Sequence, residues 1–223
     1  MTRIEDNIEN KIIDPGFSQE SCNVIIMCTA GNLRTLEKML PYCAANILHD
    51  HIYVVASRNI EESVNALPFA EFVDEDSVLE GMQLSVIADI IESIAGERRR
   101  AGWYFQQFLK MAWAMRCPDR YYIVIDADTF PLHPITFLQD GKYLFTEKIE
   151  YNQPYFDTLA VLFNGEIGRV CDCSFVAENM IFDCEVMKEM IMKIENNAAI
   201  RGGILREDII CRQPEGYLKK RLQ

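Results

Sequence analysis

Hydrophobic residues along this chain come in short blocks whose spacing changes from one block to the next. The run at 22–29, CNVIIMCT, is continuous and rich in Val and Ile, as in a strand covered on both faces. A Gly-Asn turn follows, and then Leu33, Leu36, Met39 and Leu40 recur at helical spacing. HIYVVAS at 51–57 repeats the strand pattern, and a shorter piece at 71–73 ends among acidic residues. Helical periodicity returns in GMQLSVIADIIESIAGERRR and again in GWYFQQFLKMAWAMRC. In the second, Tyr104, Phe108, Met111 and Met115 share one face, while Gln106, Gln107 and Lys110 share the other.

YYIVI at 121–125 is a further strand, and the PLHPI beyond it blocks helix and reads as a turn. GKYLFTEK at 141–148 reads as a strand, and QPYFDTLAVLFNG as a loop and helix. The last stretch, CDCSFVAENMIFDCEVMKEMIMKIENNA, reads as a short strand followed by a helix with Val186, Met190 and Ile194 four residues apart. Strands alternating with helices predict an α/β fold with a mostly parallel sheet covered on both faces.

At 223 residues, one large domain is expected. The formal charge of −12 and the short basic runs ERRR and KKR argue against a nucleic-acid groove. An anionic ligand would need a local cation. The N-terminal stretch, MTRIEDNIENKIIDPGF, has neither the apolar core of a signal peptide nor that of a membrane anchor, so the expected location is cytoplasmic with no transmembrane segment. Three consecutive basic residues near the C-terminus leave peripheral contact with an anionic membrane open. The eight cysteines are scattered through apolar segments, which predicts reduced core thiols. Cys171, Cys173 and Cys184 form a C-x-C-x10-C cluster that lacks the histidine or fourth cysteine of a zinc site.

The chemistry concentrates at YYIVIDADTFPLHPI. Residues i and i+2 of a strand point the same way, so Asp126 and Asp128 are expected to converge at its C-terminal end, where ligands bind in open α/β sheets. Two neighbouring carboxylates repel unless one is protonated or a cation joins them. Mg²⁺ or Mn²⁺, completed by substrate phosphates, suits such a pair. D-x-D also arises as a turn or helix-capping device. A haloacid-dehalogenase-type phosphatase would place Thr two residues after the second Asp, whereas Thr129 comes one place early.

With these residues in view, the chain resembles the nucleotide-sugar-dependent glycosyltransferases of the A-type fold, whose D-x-D ends a strand. GWYFQQFLKMAWA, YYIVIDADTFPLHPI, GKYLFTEK and SFVAENMIFD look like those of a bacterial glycosyltransferase-like group linked to surface polysaccharide synthesis. The resemblance implies a Rossmann-like domain at 21–223 after an N-terminal extension at 1–20, with a nucleotide-binding half at about 21–130 and an acceptor-side half at about 131–223. It implies that Thr29, Ala30 and Arg34 line the nucleotide site with Gln107 and Lys110. Asp126 would face the ribose or a water on the metal, and Asp128 would ligate the metal.

The implied partners are a nucleotide-sugar donor and a saccharide or lipid-linked acceptor. Glu178 would be the base if the reaction inverts the anomeric centre, with Glu147, Glu150 and Asp183 as competitors. An ordinary glutamate at a helix N-terminus is the other reading of Glu178. The chain departs from this pattern in having only His49, His51 and His133, with none late in the domain to complete a metal site. It is also short, so either the chain is truncated, or Asp208 or another carboxylate replaces the missing ligand, or metal binding is weak. A relative that binds a nucleotide sugar without turnover is one alternative, and a Mg²⁺-dependent phosphatase of the haloacid-dehalogenase type is the other.

Overall fold

The computed structural model describes residues 21–197; Asp208, Cys211 and the basic C-terminal run lie outside them. The order of elements is β1 (Cys22–Met27), α1 (Leu33–Asn46), β2 (His49–Ala56), α2 (Glu61–Asn65), β3 (Glu71–Asp74), α3 (Leu84–Ala95), α4 (Ala101–Ala112), β4 (Tyr121–Ile125), β5 (Leu138–Gln139), β6 (Lys142–Tyr143), α5 (Gln153–Leu162), β7 (Asn179–Asp183) and α6 (Cys184–Glu195). Five strands form one mostly parallel sheet in the order β3-β2-β1-β4-β7. β1 and β2 run parallel, and every residue of β1 is buried, which explains its unbroken apolar run.

β7 is the antiparallel exception. The Asp126 amide just past β4 donates to the carbonyl of Glu178 just before β7, at 2.9 Å. At the opposite ends, the Cys184 amide donates to the Arg120 carbonyl at 2.8 Å. The end of one strand thus meets the start of the other.

By contacts the chain forms two units. Among the described residues, the first comprises 21–72, Ile123–Phe145 and Glu178–Ile181; the second comprises Val73–Tyr122, Thr146–Ala177 and 182–197. Both draw on each side of residue 130.

In the first unit, α1 buries Leu36, Met39, Leu40 and Cys43, at the helical spacing read from the sequence. The Asn46 side chain donates to the Pro131 carbonyl at 2.8 Å, and the Ile135 amide donates to the Asn46 carbonyl at 2.9 Å, so the segment after β4 is tied to the end of α1. In the second unit, α3 ends at Gly96, whose φ of 75° is the left-handed C-cap that glycine adopts without strain.

Three expectations need correction. On α4 the buried stripe is Ala101, Tyr104, Phe105, Phe108, Leu109 and Ala112, while Met111 is half-buried and Met115, in the turn beyond the helix, is exposed. On α6 the buried positions are Cys184, Met187, Ile191 and Ile194; Val186 faces outward. The strand expected at 141–148 is only Lys142–Tyr143, paired antiparallel with Leu138–Gln139. Asp140 and Gly141, at φ 51° and 71°, close that hairpin with the doubly left-handed turn favoured by Asp-Gly. Lys142 through Phe145 are all exposed, so apolar residues here lack the core face that would extend a strand.

Candidate functional site

The candidate site is built on the first unit. β1 delivers the loop 29–32, in which the Asn32 amide donates to the Thr29 carbonyl at 2.9 Å. Thr29, Ala30 and Arg34 are all exposed, Arg34 in the first turn of α1. That turn carries no acidic residue, and Asn32 gives it no side-chain cap. The result is a strand, a tight loop and a helix whose first turn carries an exposed arginine, an arrangement whose backbone amides and charge favour an anion.

β4 delivers the aspartates, but not as strand residues. β4 stops at Ile125, and the Thr129 amide donates to the Asp126 carbonyl at 2.9 Å, closing a four-residue turn. Ala127 points inward, at 3% exposure, while Asp126 is half-buried and Asp128 exposed. Strand alternation therefore does not bring the two carboxylates together; whatever convergence they have comes from the turn. The order β2-β1-β4 reverses direction between β1 and β4, and that reversal in an open parallel sheet is where a crevice forms beyond the strand ends. The loop after β1 and the turn after β4 follow those two strands.

Glu178 joins this group through its backbone. It sits in an exposed bend just before β7, not in a helix, and its carbonyl accepts the Asp126 amide. Of its competitors, Asp183 has another task. One oxygen caps α6 by accepting the amides of Glu185 at 2.8 Å and Val186 at 3.3 Å; the other pairs with Arg120 at 3.3 Å. An Asp immediately before a helical pattern is an N-cap signature, and that feature of the sequence identifies Asp183's role. Gln107 and Lys110 are half-buried residues of α4 in the second unit, whereas the group described above consists of first-unit residues. Tyr122 donates its hydroxyl to the Lys110 carbonyl at 2.8 Å, so this part of α4 is pinned.

Two hard oxygen donors on an exposed turn fit Mg²⁺ or Mn²⁺ as a partial shell, to be completed by water and phosphate oxygens. Among the described residues no group of three or more His, Cys, Asp or Glu side chains is assembled for a metal ion. His49 bonds the Ile47 carbonyl at 2.7 Å, and His51 pairs with Glu71 at 2.5 Å. Of the C-x-C-x10-C cysteines, Cys184 is buried at the start of α6, while Cys171 and Cys173 are half-buried. Beside the first loop, burial pushes the Cys28 thiol up to about 11.

A perturbed carboxyl lies elsewhere. Glu75 follows β3 and is raised to about 7, first by burial and then by the charges of Asp76 and Asp74. An acid raised on folding contributes stability fully below its unfolded value of 4.5, and that contribution is lost as pH rises through about 7. Linkage caps the effect at about 3 kcal/mol, and the half-exposed position reduces it to about 1–2 kcal/mol. Glu75→Gln is expected to be more stable than the parent by that amount at pH 8 and equal to it at pH 4, as read by urea unfolding.

No helix among the described residues is long and apolar enough to cross a membrane. No curated protein matches the chain. A family model matches residues 34–197, a span that holds Arg34, Gln107, Lys110, both aspartates and Glu178 but not Thr29 or Ala30. With most of its length covered by that match, the chain belongs to the family of unknown function DUF6492.

Proposed function

We propose that the protein is a metal-dependent glycosyltransferase of the Rossmann-like A-type, moving a sugar from a nucleotide-sugar donor to a saccharide or lipid-linked acceptor. The observation that carries this reading is the pairing of an anion-favouring loop after β1 with a two-carboxylate turn after β4, on neighbouring strands where the sheet order reverses. Arg34 supplies the local cation that a −12 chain needs to accept a diphosphate. Asp126 and Asp128 would hold Mg²⁺ or Mn²⁺, which when bound neutralises charge on the departing diphosphate. Thr29 and Ala30 line the approach to the nucleotide. Glu178, exposed and tied through its carbonyl to the Asp126 amide, is the side chain best placed to take the acceptor hydroxyl's proton.

The test is calorimetric titration of the full chain with UDP, with and without Mn²⁺. Binding in the micromolar range that weakens at least about tenfold without metal supports the reading. Absence of binding to UDP, GDP, ADP and CDP with either metal overturns it. Acceptor-dependent transfer then separates a working transferase from a relative that only binds the donor.

A further inference from the structure

The described cysteines fall into two groups. Cys22, Cys28, Cys43, Cys117 and Cys184 are buried, and burial raises Cys43 and Cys184 to about 12. Cys171 and Cys173 are only half-buried, in a bend of the second unit. The Cys173 thiol donates to the Cys171 sulfur at 3.2 Å, and the Cys171 thiol lies 3.7 Å from the Cys173 carbonyl. The backbone on both sides is fixed. Arg169 Nε donates to the Cys171 carbonyl at 2.8 Å, and its guanidinium also pairs with Asp172 at 3.1 Å and lies 4.3 Å from the Tyr151 ring centre. Ser174 exchanges two backbone hydrogen bonds of 2.8 Å with Lys148. The two sulfurs are thus held against each other at a reachable surface, needing a shift of about 1.2 Å to reach bonding distance.

We propose that Cys171 and Cys173 form a redox-active dithiol that closes to an intramolecular disulfide by exchange with a small-molecule disulfide. This does not rest on the glycosyltransferase reading. The Cys171 thiolate attacks one sulfur of the small disulfide, forming a mixed disulfide and releasing one small thiolate. Cys173 then loses its proton to solvent and attacks the Cys171 sulfur, releasing the second small thiolate. Two protein thiols are oxidised, one small disulfide is reduced to two thiols, and the two protons pass to the leaving thiolates. Donation to Cys171, with burial and the charges of Cys171 and Glu147 adding to it, raises Cys173 above the ordinary thiol value, so it keeps its proton through the first step and acts only in the second.

The experiment exposes the full-length, pre-reduced protein to glutathione disulfide, blocks remaining thiols with iodoacetamide and maps the peptides by mass spectrometry. The expected result is loss of alkylation at both residues, with the Cys171 to Cys173 peptide lighter by two thiol hydrogens. Cys173→Ser should instead accumulate a glutathione adduct on Cys171, and Cys211→Ser should behave as the parent. Continued alkylation of both thiols under conditions that oxidise free dithiothreitol overturns the proposal. So does a persistent adduct on the parent's Cys171, or a disulfide from either residue to Cys211.

Discussion

Asp128→Asn is expected to weaken Mn²⁺-dependent binding of a nucleoside diphosphate by roughly 100-fold, about 2.7 kcal/mol, while leaving the fold intact. The amide is nearly isosteric with the carboxylate but brings neither its charge nor its affinity for a hard cation. Because Asp128 is exposed and sits beyond the last residue of β4, no core contact is lost. Asp126→Asn should weaken binding as well, and the Asp126 amide that bonds Glu178 and the carbonyl that closes the turn belong to the backbone, so both survive the change. Calorimetry gives the affinity and circular dichroism the fold. If Asp128→Asn binds as the parent does, the metal is not held by this turn. If it unfolds, the aspartates serve the structure.

The second large effect falls on stability. Asp183→Ala is expected to cost about 2–3 kcal/mol, because two amides in the first turn of α6 lose this acceptor and the ion pair with Arg120 is removed. Asp183→Asn keeps an oxygen for the cap and lets the exposed Arg120 return to water, so its cost should stay below about 1 kcal/mol. Urea denaturation of the two variants separates the contributions. Equal losses would mean that the ion pair, not the cap, holds the start of α6.

What was legible in the sequence follows from how strongly each residue is constrained locally. β1, β4 and α1 are buried elements whose apolar runs admit few alternatives, and their expected positions agree with the structure within one or two residues, α1 running a few residues past its last apolar repeat. The α6 helix is visible in the sequence, but a helical spacing of three to four residues fits Val186, Met190 and Ile194 as well as it fits Met187, Ile191 and Ile194. Only packing decides between faces so close on the wheel. Lys142 to Lys148 carries strand-forming residues, yet a strand needs a partner and a covered face, and both are long-range facts. The aspartates follow the β4 strand as expected but lie in a turn beyond it, since one extra strand residue or one turn cannot be told apart from YYIVIDAD alone. The bond joining Asp126 to Glu178 had no sequence trace at all, because it links backbone atoms that carry no side-chain identity.

The interleaving of the two units carries a consequence for how the molecule holds together. The chain passes between them at residues 72/73, 122/123, 145/146, 177/178 and 181/182. No single cut yields either unit as a continuous piece, and the β4 strand, whose far end opens into the aspartate turn, begins in one unit and finishes in the other. Neither unit is therefore a module that could be gained, lost or transplanted on its own. The first-unit segments that flank the aspartate turn are separated along the chain by two stretches of the second, Val73–Tyr122 and Thr146–Ala177, so bringing them together closes long loops of residues that share none of their chemistry.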